Sequence, residues 1–146
     1  MQRTQWIVVG TDFSEGADRA LREAVRLASR IGASVACVHA YEDAPGTPLL
    51  EDREPTLSAQ LEETIASPDA RANGVHVEAI LRRGPAWEKL INVACERGAS
   101  LVVVGAHGQR QRPNQFFLGS VASRLAALST RMVLIVPSAL DQRGAA

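Results

Sequence analysis

The sequence of 146 residues has little cysteine, few aromatic residues and no excess of either charge. Its two cysteines, Cys37 and Cys95, are too far apart for a CxxC motif. Both lie in apolar patterns, where a thiol usually packs as a small hydrophobic side chain. Lys plus Arg and Asp plus Glu each number 16, so the formal net charge is zero. This balance removes the general electrostatic argument for nucleic acid or an anionic membrane surface, and any anion must be bound by a local feature.

Long hydrophobic runs are also absent from the sequence. The apolar run nearest the N-terminus, Trp6–Val9, is far too short for a signal peptide or a membrane span. We therefore expect a cytoplasmic protein with neither a membrane partner nor a nucleic-acid partner. The length fits one domain over residues 1–146, with a core at about 4–138 and a frayed tail at 139–146.

Five apolar segments predict β-strands. Four are rich in Val and Ile and lack polar alternation, which is typical of strands covered on both faces: Trp6–Val9, Val35–Ala40, Leu101–Val104 and Met132–Val136. The fifth, Val75–Leu81, alternates apolar and polar residues. This alternation predicts one face in water and a position at the edge of the sheet.

Amphipathic patterns between these segments predict four helices. Ser14 is placed to cap the first helix and Gly32 to end it. Its predicted inner stripe is Ala17, Ala20, Leu21, Ala24, Val25, Ala28 and Ile31. The second helix has the weakest pattern, Leu57, Leu61 and Ile65, after a predicted loop over residues 42–55.

The last two predicted helices begin at glycine or proline. Gly84 and Pro85 open the third, and Gly98 stops it. Its inner stripe is predicted to be Trp87, Leu90, Ile91, Ala94 and Cys95. The fourth begins near Gly119 and is predicted to direct Val121, Leu125 and Leu128 inward.

Alternating strands and helices predict an open, doubly wound α/β fold with a parallel sheet, because parallel strands require right-handed crossovers. Ligands of such folds bind beyond the carboxyl ends of the strands, where the strand order reverses. Two loops meet this rule, Gly10–Ser14 after the first strand and Gly105–Ser120 after the fourth. If these strands are central neighbours, both loops face the same crevice.

The second loop has the chemistry of an anion site but none of the common phosphate signatures. GxxxxGK[ST] and GxGxxG are both absent. What remains is Gly105-x-x-Gly108, ten residues, then Gly119-Ser120 at a helix start. A helix N-terminus, the Ser120 hydroxyl and closely approachable glycines suit phosphate, and Arg110 and Arg112 could neutralise its charge. The alternative is a helix cap followed by an ordinary loop.

Four stretches of the chain resemble the universal stress protein family in order and spacing: IVVGTDFSEGADRALREAVRLA, CVHAYE, LRRGPAWEKLINVACERGASLVVVGAHG and LGSVASRLAALSTRMVLIVP. The resemblance implies a five-stranded, Rossmann-like α/β fold with strand order 3-2-1-4-5. It also implies a homodimer through the last strand, Met132–Val136. One branch of the family binds ATP through Gly, two residues, Gly, nine residues, Gly, then Ser or Thr.

Carried over residue by residue, the resemblance assigns Gly105, Gly108, Gly119 and Ser120 to phosphate. It places Asp12 beside the ribose or a bound Mg²⁺, and Ala40 where the family usually has a valine whose main chain contacts adenine. The complete expected cofactor-binding set is Thr11, Asp12, Ala40, Gly105, His107, Gly108, Arg110, Gly119, Ser120 and Val121.

Two departures from the family pattern bear on this assignment. The interval between Gly108 and Gly119 has ten residues rather than nine, and it contains Pro113 and the pair Phe116-Phe117. The extra residue could bulge outward or misplace the loop. Ser100 replaces a common acid before the fourth strand, which concerns the fold more than the site.

Other conspicuous residues have competing interpretations. His39 and His107 could form a hydrolytic constellation with Asp12 and Ser120, but there is no GxSxG and the resemblance assigns no such chemistry. His107 is expected to line the crevice instead. Trp87 is expected in the core, the two adjacent phenylalanines could stack on a base, and Asp12 could simply cap a helix.

These observations favour a nucleotide-binding regulatory protein of the stress response that binds ATP, with Mg²⁺ held through Asp12. AMP, or no ligand, are the alternatives for the cofactor. A second hypothesis is an interaction module of the same fold that has lost nucleotide binding and acts through its dimer surface. A third is a slow ATPase, although the sequence offers no evident general base and we assign no catalytic residue.

Overall fold

A computed structural model of the protein describes residues 4–46, 50–108 and 118–138. The elements in chain order are β1 (Gln5–Gly10), α1 (Glu15–Ile31), β2 (Ala33–Tyr41), α2 (Leu50–Ile65), a 3₁₀ turn (Ala72–Gly74), β3 (Val77–Arg83), α3 (Ala86–Arg97), β4 (Leu101–Gly105), α4 (Ser120–Leu128) and β5 (Met132–Val136). The five strands form a parallel sheet in the order β3-β2-β1-β4-β5. The predicted doubly wound α/β fold and its strand order are confirmed.

Hydrophobic residues cover both faces of the sheet. Ile7 and Val9 of β1 pack with the apolar stripe of α1, and Leu61 of α2 joins the same cluster. Val8 points the other way and packs with α3 and α4, where Leu90 is a central residue. The alternation explains why Ile7–Val9 and Val35–Val38 are apolar without interruption, since side chains on both faces of the sheet pack against helices.

Helix α1 begins and ends where its capping residues predict. The Ser14 Oγ accepts a hydrogen bond from the Ala17 N–H at 3.2 Å, and Gly32 ends the helix with a φ of 71°. Glycine suits this C-cap because a positive φ is unfavourable for other residues. One residue of the predicted stripe is wrong: Ile31 is 50% exposed, because it is the last helical residue and the chain reverses directly after it.

Helix α2 begins at Leu50, so the prediction of a loop over residues 42–55 is wrong in its second half. Pro55 lies in the second turn, where it removes one main-chain hydrogen bond. Asp52 favours the start of the helix because its charge complements the positive end of the helix dipole. Further along, Leu61 is buried as predicted.

Two side chains predicted to point inward are exposed. Cys95 lies outside the buried stripe of α3, which consists of Leu90, Val93 and Ala94. Leu128 is 54% exposed because the buried stripe of α4 is formed by Ala122 and Leu125, and the helix ends at Leu128. The rest of both predicted stripes is confirmed, since Leu90, Ala94 and Leu125 are buried and Trp87, Ile91 and Val121 pack against the core.

Strand β3 lies at the edge of the sheet as predicted, but it begins at Val77 rather than at Val75. The strand starts later than predicted because a 3₁₀ turn precedes it, in which Asn73 and Gly74 both have positive φ angles. The face predicted to lie in water is partly covered, since Ile80 is buried against the α3 side of the sheet.

Candidate functional site

The carboxyl ends of β1, β2 and β4 border one cavity of about 520 Å³. This volume lies within the range of small-molecule sites. Nine of the ten predicted cofactor-binding residues line it: Thr11, Asp12, Ala40, Gly105, His107, Gly108, Gly119, Ser120 and Val121. The tenth, Arg110, lies outside the described residues, as do Arg112 and the pair Phe116-Phe117. The fold therefore brings together residues from three separate parts of the chain.

Sequence reasoning missed several other residues of the cavity wall. They are Ala17, Val38, Glu42, Ala86, Leu90, Val104 and Ala122, whereas Gly10 belongs to the first loop predicted to face the crevice. Most are small or apolar, so their contribution is shape, and no local motif distinguishes them from core residues. Glu42 could have been suspected, because it follows the carboxyl end of β2, the region that the fold class already marks as ligand-binding.

The loop after β1 is held by its own hydrogen bonds. Thr11 is buried, and its N–H donates to the Val38 carbonyl at 2.8 Å. The Thr11 Oγ1 accepts from the Phe13 N–H at 3.0 Å, and the Asp12 Oδ1 accepts from the Ser14 N–H at 3.0 Å. These bonds fix the position of the Asp12 carboxylate at the mouth of the cavity.

Two glycines allow the loop after β4 to approach the first loop closely. A Cβ at position 105 would lie 3.1 Å from the Gly16 carbonyl oxygen, and one at position 108 would lie 3.0 Å from the Asp12 Oδ2. Both distances are shorter than ordinary van der Waals contacts, so a larger residue would press on the α1 backbone at position 105 and displace the Asp12 carboxylate at position 108. Gly105 and Gly108 thus have a packing role in addition to any contact with a ligand.

Gly119 differs from these two glycines. Its φ of −60° and ψ of 162° are extended values that any residue adopts, and its N–H donates to the Ala106 carbonyl at 2.8 Å. As the N-cap of α4, it supplies no side chain to the amide groups of the first turn. Those amides border the cavity at Ser120, Val121 and Ala122, which makes this end of α4 suited to an anion.

The charges on the described part of the cavity wall are acidic. Asp12 and Glu42 line the cavity, and no Lys or Arg is present among the lining residues that the structure describes. Arg110 and Arg112, which the sequence predicted to neutralise a phosphate, lie outside the described residues, so that role stays a prediction. Among the described residues no group of three or more His, Cys, Asp or Glu side chains could hold a metal. Asp12 fits a Mg²⁺ only together with ligand oxygens, which are the donors that this ion prefers.

The structure does not assemble the hydrolytic constellation considered from the sequence. His39 lies outside the cavity lining, and its Nδ1 is 2.7 Å from the Thr11 carbonyl oxygen. Burial lowers the pKa of the His39 imidazole, which favours the neutral ring. Trp87 is half-buried and packs against the α3 side of the core, with the Arg124 guanidinium over its ring.

A family model described as the universal stress protein family matches residues 4–137. The chain belongs to the universal stress protein family. A universal stress protein of Thermus aquaticus is 30% identical to this chain over 133 residues, which cover 89% of this chain and 96% of that relative. A relative from Mycolicibacterium smegmatis is 34% identical over 134 residues, and this universal stress protein domain spans 45% of its length.

One solved structure of the family is similar to this chain over most of its length. A universal stress protein in complex with cAMP is 31% identical to this domain, with a TM-score of 0.71, and the match covers 93% of this chain and 98% of that one. Within the part of this domain that the structure describes, every helix is too short or too polar to cross a membrane.

Proposed function

We propose that this universal stress protein domain binds an adenine nucleotide, ATP in preference to AMP, and acts as a nucleotide-dependent regulator in the stress response. The observation that carries the proposal is the convergence of Asp12, the Gly105–Gly108 loop and the N-terminus of α4 on one cavity. The relative in complex with cAMP supports an adenine nucleotide as the class of ligand.

The cavity divides into parts that suit the parts of the nucleotide. The phosphates lie on the Gly105–Gly108 loop and on the uncapped first turn of α4, where amide groups and the helix dipole favour negative charge. The ribose lies beside Asp12, and the adenine lies against Ala40, whose small side chain leaves the main chain accessible. When Mg²⁺ is bound, Asp12 and phosphate oxygens hold it and offset the acidic charge of the wall.

The substitution Gly119→Val tests the proposal. Valine is compatible with the backbone angles at this position, so the fold should be retained while the side chain occupies space that a phosphate needs. Calorimetry should show ATP binding by the wild type and a loss of at least about tenfold in affinity, or about 1.4 kcal/mol, for the variant. The melting temperature should stay within a few degrees.

Ala126→Val is the matched control for this substitution. Residue 126 is exposed on the same helix and does not line the cavity, so the variant should bind ATP like the wild type. A wild-type protein that shows no binding heat, no thermal shift with ATP and no co-purified nucleotide would contradict the proposal.

The open edge of β5 supports the second candidate function, a dimeric interaction module. Met132 is 68% exposed, and β5 pairs only with β4 in the described sheet. We propose that two copies pair through Met132–Val136, with or without nucleotide, because an apolar sheet edge requires cover.

Chemistry is a minor part of the proposed function. We expect any ATP hydrolysis to be slower than about 1 per second, the lower end for ordinary enzymes, because the sequence offers no evident general base for the reaction. Turnover of tens per second that is abolished by Asp12→Asn would contradict this expectation. The cytoplasmic location stays a prediction.

A further inference from the structure

His39 lies beside the proposed nucleotide site without forming part of its wall. Its neighbours on β2, Val38 and Ala40, both line the cavity. Because successive side chains of a strand point to opposite faces, the His39 ring lies on the other face of the sheet, near Phe13. Any influence of His39 on a ligand therefore has to pass through other residues.

The closest polar contact of His39 is with the loop that carries Asp12. Its Nδ1 is 2.7 Å from the main-chain carbonyl oxygen of Thr11. A carbonyl oxygen only accepts hydrogen bonds, so the proton of the neutral ring is on Nδ1. The Thr11 N–H donates to Val38, and the Thr11 Oγ1 accepts from Phe13. With the His39 bond, every polar group of Thr11 is engaged.

The second contact of His39 is with the strained residue of the same loop. Phe13 has a φ of 65°, a left-handed conformation that is unfavourable for an aromatic residue. Its ring lies on the His39 ring, with centroids 4.4 Å apart and planes inclined by 38°. The ring contact and the hydrogen bond between Phe13 and Thr11 hold the chain in this conformation.

His39 thus contacts the residues directly before and after Asp12, namely Thr11 and Phe13. We infer that His39 is a positioning residue, which holds the Gly10–Ser14 loop in the shape that binds nucleotide by bonding Thr11 and stacking on Phe13. The inference rests on the proposed function of the cavity. Without His39 the loop samples other shapes, Asp12 moves relative to Gly108, and the fraction of molecules competent to bind falls.

The test compares side chains that place an N–H at different positions. In His39→Asn the amide nitrogen takes the position of Nδ1, whereas in His39→Gln it takes the position of Nε2, and His39→Leu has no donor. Calorimetry measures the ATP affinity of the wild-type protein and of each variant. NMR of the same proteins without nucleotide measures the rate of hydrogen exchange at the main-chain N–H groups of Phe13 and Ser14.

The expected result is a split between the variants. His39→Leu and His39→Gln should bind ATP about tenfold more weakly and exchange both amides about tenfold faster, whereas His39→Asn should stay within about threefold of wild type. His76→Leu is the matched control, because His76 is exposed and precedes β3 at the amino end of the sheet, and it should leave both measurements unchanged.

Other results would contradict either the proposed function or the inference about His39. Wild-type protein that binds no adenine nucleotide overturns the proposed function and this inference with it. Wild-type binding that His39→Gln leaves within about twofold overturns the inference alone, as does weaker binding with unchanged exchange at Phe13 and Ser14. A wild-type His39 ring protonated at Nε2 rather than at Nδ1 also overturns it.

Discussion

Single residues at this site combine packing with a proposed role in binding. Gly105 was predicted to contact phosphate, yet the structure gives it an independent reason to be glycine, since a Cβ there would press on the Gly16 carbonyl. The backbone angles of Gly119 are ones that any residue adopts, so no conformational strain requires glycine there. Substitution at Gly105, in contrast, would also disturb how the loop packs on α1.

The two cysteines should differ in reactivity. Burial, with a smaller contribution from the charge of Asp18, raises the pKa of the Cys37 thiol to about 12, whereas Cys95 is exposed. Because the thiolate is the reactive form, a thiol reagent at about pH 8 should label one cysteine rapidly in the native protein and both after unfolding. The Cys95→Ser variant should lose the rapid phase. Equal labelling rates in the native protein would contradict the burial of Cys37.

Arg110 and Arg112 are predicted to act on charge alone. The described cavity wall has no Lys or Arg, so removing both side chains with Arg110→Ala and Arg112→Ala should weaken ATP binding more than adenosine binding. The difference should shrink at high salt, which screens exposed charges. Arg30→Ala with Arg71→Ala removes two exposed arginines that do not line the cavity and serves as the control. Equal losses for ATP and adenosine would show that charge is not the cause.

At the scale of elements, α2 is the helix least determined by its own sequence. It contains Pro55, and its amphipathic pattern is weak, but tertiary contacts hold it against the rest of the molecule. Leu61 is buried with the α1 side of the core, and the Tyr41 hydroxyl at the end of β2 donates to the Glu54 carboxylate. Tertiary contacts therefore outweigh the local preference of the chain.

Truncation of Leu61, the buried residue of α2, should destabilise the protein far more than truncation of Leu57 on the same helix. Leu61→Ala should lower the free energy of unfolding by about 2–5 kcal/mol, because it removes a fully buried side chain and leaves a cavity. Leu57→Ala, one turn earlier and only half-buried, is the matched control and should cost much less. Urea denaturation measures both. Similar losses would mean that α2 is not anchored through Leu61.

At the scale of the whole molecule, the apolar strand β5 lies at an edge of the sheet, where we predict that two copies of the protein pair. The Val136 carbonyl accepts from the Ala106 N–H, so Val136 directs its main-chain groups toward β4 and the chain continuing from it. Because these groups alternate along a strand, those of Val133 and Ile135 face the open edge. A second copy of β5 would pair with them.

The substitution Ile135→Pro should prevent pairing of two copies while leaving each copy folded. Ile135→Pro removes an N–H that faces the open edge and spares the bonds to β4, so we expect a folded monomer where the wild type is a dimer. Leu134→Pro removes an N–H from the β4 side and should unfold the protein. Light scattering at micromolar concentration gives the mass and circular dichroism reports the fold. A monomeric wild type, or a dimeric Ile135→Pro variant, would contradict assembly through β5.

The sequence by itself determined the features that depend on neighbouring residues. Ser14 and Gly32 marked the ends of α1, and Met132–Val136 marked the last strand, because caps and apolar runs act over a few positions. The order of the sheet and the convergence of the two loops followed from the resemblance and from the rule for doubly wound folds. Nine of the predicted binding residues accordingly line one cavity.

Only the tertiary structure decided where the buried faces of the helices end and which distant residues meet. Leu128 and Cys95 fit helical stripes yet are exposed, and α2 extends through Pro55 because Leu61 anchors it. The bond from His39 to Thr11 joins residues that are 28 positions apart. No local pattern encodes such a contact, because it exists only once β1 and β2 pair and the loop after β1 folds over the end of the sheet.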